Sequence, residues 1–141
     1  MLSQKQIEEI LQKYRVIAVV GISKDQSKPS YNVAAYMKQH GFRIIPVNPN
    51  LDEVLGEKSY KSLLDIPADV QKTIEIVDVF RRAEDVLPIV EQAIKLKEAN
   101  GKPHVVWMQL GIVNKEAAEL ARKAGLIVVM DRCIMVEHDS L

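Results

Sequence analysis

Apolar and polar positions fall into blocks along the first third of the chain, and these blocks predict a strand, a loop, a helix and a second strand. Val16–Val20 is an unbroken apolar run of mostly β-branched residues, which is typical of a strand buried on both faces of a parallel sheet. A polar and basic loop runs from Gly21 to Pro29, and apolar residues at helical spacing then continue to about His40. Phe42–Val47 predicts the second strand. A right-handed crossover would make the strands parallel and bring the loop to the carboxyl edge of the sheet, where ligands of open α/β sheets bind.

The rest of the chain predicts further helices and strands in alternation. Residues 1–15 are amphipathic and predict an entry helix, residues 50–72 predict a loop, a turn and a brief helix around 62–64, and residues 131–138 give no assignment. Pro88 falls inside a predicted helix, where it predicts a lost hydrogen bond or a break. The remaining predicted elements are strands at Thr73–Val79, His104–Met108 and Leu126–Met130, a helix at Arg81–Ala99, and a helix that begins at Asn114 and stops at Gly125.

This alternation predicts an α/β fold, a doubly wound, Rossmann-like parallel sheet with helices on both faces. We expect five main strands in the order 3-2-1-4-5, with a crevice between the first and fourth strands. The loops Gly21–Ser30, Phe80–Arg82 and Gln109–Gly111 should meet at that crevice. A length of 141 residues with 48% apolar content suits one compact domain over residues 1–141.

Composition narrows the possible classes of protein. Lys+Arg and Asp+Glu are both 19, so nothing predicts the basic surface that nucleic acid or an anionic membrane requires. Cys133 is the single cysteine, which excludes an internal disulfide and a CxxC metal site. With no cleavable apolar leader and no run of transmembrane length, we expect a cytoplasmic protein. The histidines, at positions 40, 104 and 138, are scattered and predict neither a metal site nor a catalytic triad.

The first loop carries the candidate chemistry. Its hydroxyl and cationic side chains lie next to a helix start, a combination that suits phosphate, although a solvated loop with ordinary lysines remains an alternative. Pro29 and Ser30 both fit that helix start, and the sequence leaves open which residue caps it. Arg43 opens the second strand and would reach a ligand only if its side chain turned toward the crevice. The candidate phosphate-binding side chains of the loop are Ser23, Lys24, Ser27, Lys28 and Ser30.

The sequence disfavours a nicotinamide dinucleotide. Binding of NAD would require a G-x-G-x-x-G loop after the first strand and an acidic residue after the second strand. Gly21 is the only glycine of its loop, and Asn48-Pro49 occupies the position of the acid. A Walker phosphate loop is absent as well, because no Gly-Lys-Ser or Gly-Lys-Thr occurs.

Three separated segments, VVGISKDQSKPSYNVAAYMKQHGFRIIPVNP, IVDVFR and GLIVVMDRCIMVEH, together resemble the small stand-alone CoA-binding proteins. That family is similar to the CoA-binding domain at the front of the succinyl-CoA synthetase α subunit. The resemblance covers nearly the whole chain and implies a site for the phosphorylated ADP end of CoA. The synthetase's phosphorylated histidine belongs to a second domain, so its ligase chemistry does not carry over.

The resemblance also implies which residues contact CoA. On the adenine and pantetheine side of the implied site, Asp78 and Phe80 stand where the synthetase pattern has prolines, so the contacts on that side are the least transferable. The phosphate-binding positions implied by the resemblance are Gly21, Ile22, Ser23, Lys24, Lys28, Ser30, Tyr31 and Arg43. The turn after the second strand and the adenine and pantetheine side correspond to Asn48, Pro49, Val77, Asp78, Val79, Phe80 and Arg81.

The leading hypothesis is therefore a CoA-binding module, with CoA or acyl-CoA as its ligand and no established catalysis. An enzyme or enzyme subunit that acts on acyl-CoA or thiols through Cys133 is the alternative, and a nicotinamide-sensing regulator is a third. The position of Cys133 relative to the crevice distinguishes the first two hypotheses. The adjacent Arg132 would favour the thiolate form of Cys133. Asp131 is expected to form an ion pair or anchor a loop, and a buried Trp107 would need a partner for its indole N–H. The sequence leaves the oligomeric state open.

Overall fold

The computed structural model describes residues 2–141 of the chain. Within these residues the chain forms six α-helices and seven strands. The helices are α1 (Gln4–Lys13), α2 (Pro29–Gln39), α3 (Ala68–Gln71), α4 (Val86–Asn100), α5 (Lys115–Lys123) and α6 (Ile134–Asp139). The strands are β1 (Val16–Val20), β2 (Arg43–Val47), β3 (Glu53–Val54), β4 (Glu57–Lys58), β5 (Ile76–Val79), β6 (Val105–Met108) and β7 (Ile127–Val129).

The first crossover forms as predicted, because β1, α2 and β2 follow one another and the two strands are parallel. Val16 pairs with Arg43 at the amino end of the strands, and Val20 pairs with Val47 at the carboxyl end. The Gly21 N–H then donates to the Val47 carbonyl at 2.9 Å. The loop after β1 consequently begins at the carboxyl edge of the sheet.

Over the described residues, the main sheet consists of five parallel strands in the order β2-β1-β5-β6-β7. The fold class is the predicted doubly wound parallel sheet, but the predicted position of one strand needs correction. The order 3-2-1-4-5 requires the third main strand, β5, to lie beyond β2. In the structure β5 lies between β1 and β6 instead. The chain after β2 itself covers the outer edge of that strand, since the Tyr60 N–H donates to the Pro46 carbonyl at 3.1 Å. With this edge occupied, the chain crosses back to the free side of β1 to form β5.

Helices cover both faces of the sheet. On one face, α1, α2 and α6 pack on a cluster that includes Ile17, Val19 and Trp107. On the other face, α4 and α5 pack on a cluster that includes Ala18 and Val77. The predicted entry helix is confirmed as α1, with Ile7, Ile10 and Leu11 buried and Ser3 as the N-cap. Among the described residues, none of the helices combines the length and the apolar content needed to cross a bilayer.

Several element boundaries differ from the sequence-based expectation. Helix α4 begins at Val86 because residues 83–85 first form a 3-10 turn, so Pro88 lies in the first helical turn and causes no break. Residues 131–138, which gave no assignment, include most of α6. In the region expected to be a loop, β3 and β4 form a hairpin whose turn residues, Leu55 and Gly56, have φ angles of 55° and 75°.

Candidate functional site

A cavity of about 550 Å³ opens at the carboxyl edge of the sheet. The loops after β1, β5 and β6 line it together with α2 and the segment before α6, so the three loops meet as expected from the sequence. Because β5 lies between β1 and β6, the point at which the winding of the sheet reverses is between β1 and β5. The first loop and α2 contribute Gly21, Ser23, Lys28, Pro29, Ser30 and Val33, and the later segments contribute Phe80, Arg81, Gln109, Leu110, Ile112 and Cys133.

Hydrogen bonds within the first loop fix its shape. The Ser23 N–H donates to the Ser30 Oγ at 3.0 Å, and the Asp25 N–H donates to the Ser23 Oγ at 3.0 Å. Ser27 donates its N–H and its hydroxyl to the Asp25 Oδ1, at 2.9 and 2.7 Å. These bonds, with the Ser27 backbone N–H as the largest cause, lower the pKa of the Asp25 carboxyl. The Ser27 hydroxyl is thus directed at Asp25, whereas Ser23 and Ser30 line the cavity with their oxygens already accepting one bond each.

The start of α2 forms one wall of the cavity. Pro29 is the first helical residue, and Lys28 occupies the N-cap position without a side-chain capping bond. Ser30 therefore does not cap the helix, because its hydroxyl oxygen accepts from the first loop instead. Pro29 has no N–H, and the Tyr31 N–H donates to the Lys28 carbonyl at 3.1 Å, so the helix dipole is the main feature of this turn that favours an anion. The adjacent Lys28, which also lines the cavity, adds a positive charge to this wall.

Gly21 is the point at which the loops after β1 and β5 touch. Its φ angle is +91°, a conformation that glycine adopts without strain. A Cβ at this position would collide with the Phe80 carbonyl oxygen and would lie 2.9 Å from the Arg81 Cδ. The absence of a side chain at Gly21 lets Arg81 lie over the first loop.

Arg81 also joins the main cavity to a second one. The second cavity, of about 290 Å³, shares Gly21 and Arg81 with the first and is lined as well by Pro49, Lys61 and Ser62. Arg81 is exposed and can turn toward either cavity. The carboxyl edge therefore offers an extended surface around one guanidinium group.

The structure does not bring Arg43 to this surface. Arg43 opens β2, pairs with Val16 and donates its backbone N–H to the Arg15 carbonyl at 2.8 Å. Since the cavity follows Val20, four residues further along the parallel strands, Arg43 lies roughly 13 Å away at the amino edge. A residue that opens a parallel strand belongs to the edge opposite the ligand crevice, and this position corrects the expectation drawn from the resemblance.

Other residues implied by the resemblance support the loop from behind. Ile22 is fully buried, and Tyr31 packs against the cluster beneath α1 and α2. The Asn48 side-chain amide donates to the Ile22 carbonyl at 2.7 Å, so it holds the first loop in place. Pro49 lines the second cavity, and Lys24 is exposed in the loop without lining either of these two cavities.

The implied wall formed by the end of β5 divides into buried and accessible residues. Val77, Asp78 and Val79 are buried within the sheet, whereas Phe80 and Arg81 line the cavity. Asp78 is only 1% exposed, and its Oδ1 has no hydrogen-bond partner among the described residues. Burial raises the pKa of the Asp78 carboxyl well above its ordinary value, which favours the neutral acid.

Several lining residues escaped the sequence-based site, and the segment before α6 supplies the most consequential one. Cys133 lines the cavity directly, although no periodic pattern assigned the stretch around it. The Trp107 indole N–H donates to the Arg132 carbonyl at 2.8 Å, which identifies the partner that a buried indole requires. Asp131 is a loop anchor, because its Oδ1 accepts the Gly111 N–H at 2.7 Å. These two hydrogen bonds between distant segments fix Cys133 at the rim of the cavity. The local spacing of apolar and polar residues does not predict such long-range bonds.

Residues 15–139 match the family described as the CoA binding domain. The chain belongs to this CoA-binding domain family. The resemblance found in the sequence is thereby confirmed over nearly the whole length of the chain.

Relatives of this CoA-binding domain differ in length. An uncharacterised Bacillus subtilis protein, YneT, is 40% identical over 136 residues, which span 96% of this chain and 94% of YneT. The α subunit of an ADP-forming acetate–CoA ligase II from Pyrococcus furiosus is 31% identical over 139 residues, which span 90% of this chain but 29% of that subunit. A solved structure of a hypothetical protein from Pyrococcus horikoshii OT3 superposes with a TM-score of 0.90 at 43% identity, and the match covers 99% of this chain and 92% of that one.

Proposed function

We propose that this domain binds CoA in the cavity at the carboxyl edge of the sheet. The CoA phosphates lie against Lys28, Arg81 and the start of α2, and the pantetheine arm runs from there toward the loop after β6. The observation that carries the proposal is the segregation of the lining, which is cationic and polar beside β1 and apolar beside β6. The family match supports the same ligand.

The separation of the two ends suits a long ligand with one charged terminus. The loops after β1 and β6 are two strand spacings apart in the sheet, which is about 10 Å. CoA combines a polyanionic nucleotide with an extended arm, so charge-assisted hydrogen bonds can hold one end while the arm crosses the intervening β5. Phe80, which follows β5, provides apolar surface beneath that path.

The end of β2 disfavours NAD as the ligand. Ribose recognition in dinucleotide-binding domains uses an acidic side chain after the second strand. Asn48 stands at that position, and its amide is engaged with the carbonyl of Ile22. We therefore expect selectivity for CoA over NAD.

Titration calorimetry with CoA and with NAD tests this function. CoA should bind, NAD should bind more weakly, and the affinity for CoA should fall as ionic strength rises. The Arg81→Ala variant should weaken CoA binding by about 5- to 30-fold, roughly 1 to 2 kcal/mol, which is the range for a charge-assisted hydrogen bond discounted for exposure. Arg122→Ala removes another exposed guanidinium, on α5, and should leave the affinity unchanged. Tighter binding of NAD than of CoA would remove the proposal.

The location of Cys133 favours a second candidate function, a thiol reaction with CoA. Because Cys133 lines the cavity, its thiolate can attack a disulfide of CoA, forming a Cys133–CoA mixed disulfide and releasing one CoA thiolate. The CoA disulfide is the oxidant in this exchange. Incubation with CoA disulfide followed by intact mass measurement should show an added CoA on the wild type and none on Cys133→Ser. If no adduct forms on the wild type, the protein functions as a binder alone.

A further inference from the structure

A tight turn after β6, residues 109–112, lines the cavity two strands away from the loop that carries Lys28. The Ile112 N–H donates to the Gln109 carbonyl at 2.9 Å, and Gly111 has a φ angle of +82°. Leu110 occupies the outer corner of this turn, where it lines the cavity and yet is 71% exposed. Val113, immediately after the turn, is 42% exposed. An apolar rim thus continues outward from the cavity.

The turn is anchored, so the exposure of Leu110 is a fixed feature of the fold. The Asp131 Oδ1 accepts the Gly111 N–H at 2.7 Å, and Asp131 adopts a left-handed φ of 59°. Residues with a side chain adopt this conformation infrequently, and Asp and Asn do so more often than the others. The bond from the Trp107 indole to the Arg132 carbonyl holds the next residue of the same segment.

The polarity of this end does not match a pantetheine arm alone. Pantetheine carries two amides and a hydroxyl, which require hydrogen-bond partners when they are buried. The Gln109 side-chain oxygen accepts the Ile134 N–H at 3.2 Å, which leaves its amide N–H groups for the pantetheine arm. The other side chains beside the turn, Ile112, Phe80 and Cys133, offer no strong hydrogen-bond partner. The surface beyond the thiol end of the arm is therefore suited to an alkyl chain.

We propose that turn 109–112 is an acyl subsite and that the preferred ligand is a fatty acyl thioester of CoA, with Leu110 as the residue that selects the acyl chain. This inference rests on the proposed function, because the phosphates must first be held beside β1. An extended pantetheine arm is longer than the spacing of about 10 Å between the loops after β1 and β6, so its thioester reaches the turn. The alkyl chain then covers Leu110 and Val113.

Calorimetry with CoA, octanoyl-CoA and succinyl-CoA tests the subsite. Burial of one methylene group contributes about fourfold in affinity, so an octanoyl chain that covers Leu110 with two methylenes should bind at least about tenfold more tightly than CoA. Succinyl-CoA, which places a carboxylate in the same position, should bind no more tightly than CoA.

A pair of matched variants locates the effect. Leu110→Ser should reduce the affinity for octanoyl-CoA several-fold more than the affinity for CoA. Leu64→Ser removes another exposed leucine, which is 43% exposed and itself lines neither cavity, and should keep the full octanoyl preference.

The possible outcomes distinguish failure of the acyl subsite from failure of the proposed CoA binding. If CoA binds and octanoyl-CoA binds no more tightly, the acyl subsite is refuted while CoA binding stands. If neither ligand binds, the proposed function fails and the subsite fails with it. An octanoyl preference that survives Leu110→Ser unchanged refutes the location at turn 109–112.

Discussion

Replacement of Gly21 by alanine should destabilise the protein through a contact between two loops of the candidate site. Gly21 has a φ angle of +91°, and an added methyl group would meet the backbone carbonyl of Phe80 and the side chain of Arg81. The Arg81 side chain can move, but the Phe80 carbonyl is fixed because the Phe80 N–H donates to the Val20 carbonyl at 2.8 Å. The loops after β1 and β5 would therefore have to separate.

The expected loss of folding stability in Gly21→Ala is the sum of two terms that can be measured separately. The left-handed backbone costs about 1 to 2 kcal/mol for alanine relative to glycine. Forcing a methyl group against a fixed backbone atom adds about 1 to 3 kcal/mol. Gly41 provides the matched control, since it has the same φ of +91° and nothing within 4 Å of its added Cβ. Gly41→Ala should thus show the first term alone, and Gly21→Ala should show both.

Urea denaturation of the wild type and the two variants measures this difference. We expect Gly21→Ala to lower the free energy of unfolding by about 2 to 5 kcal/mol and Gly41→Ala by about 1 to 2 kcal/mol. Equal losses in the two variants would show that the loops after β1 and β5 do not touch at Gly21. Such a result would also remove the basis for placing Arg81 over the first loop.

Two further predictions concern the dependence of stability on pH. Burial, with the charges of His40 and Arg15, lowers the pKa of His138, so the unfolded chain binds the proton more readily and stability should fall as pH drops below about 6.5. The His138→Asn variant lacks this titrating group, so its stability should fall less than that of the wild type as pH drops. The remaining fall comes from His104, whose pKa is also lowered by burial. An identical fall in the variant and the wild type would contradict the assignment to His138. Burial raises the pKa of Asp78. The contribution of its neutral form to stability is therefore complete at low pH, and it is lost as pH rises from the ordinary carboxyl pKa toward the raised pKa of the folded state. Asp78→Asn should therefore gain stability over the wild type by about 1 kcal/mol per pH unit in that window, and a gain independent of pH would contradict the neutral acid.

The sequence was sufficient to predict the fold class and the three loops that form the cavity, because both follow from strong local patterns. A buried β-branched run such as Val16–Val20 specifies a strand, and parallel strands place their following loops at one edge. The position of β5 was not predictable in this way. It depends on the pairing of Tyr60 with the outer edge of β2, a contact made by a segment without periodicity.

Two differences between the predicted site and the lining of the cavity have different physical origins. Arg43 was included because the resemblance assigned it a phosphate contact, although a residue that opens a parallel strand already belongs to the amino edge. Cys133 was considered only for the alternative function, because the stretch around it, which forms the six-residue helix α6, has no periodic pattern. Its place at the cavity is set by long-range contacts, among them the Tyr36 hydroxyl to His138 Nδ1 bond at 2.9 Å between α2 and α6.

The corrected strand order changes the chemistry of the cavity as well as its topology. Had β5 formed beyond β2, Arg81 would have been separated from the first loop by the whole width of β2. With β5 beside β1, Arg81 joins Lys28 at one end of the cavity, and Phe80 becomes the apolar surface between the first loop and turn 109–112. The positive charge therefore gathers beside β1, and the far end, around Leu110, is left apolar. A ligand that is charged at one end only, and long enough to cross β5, is the kind of molecule that this arrangement accommodates.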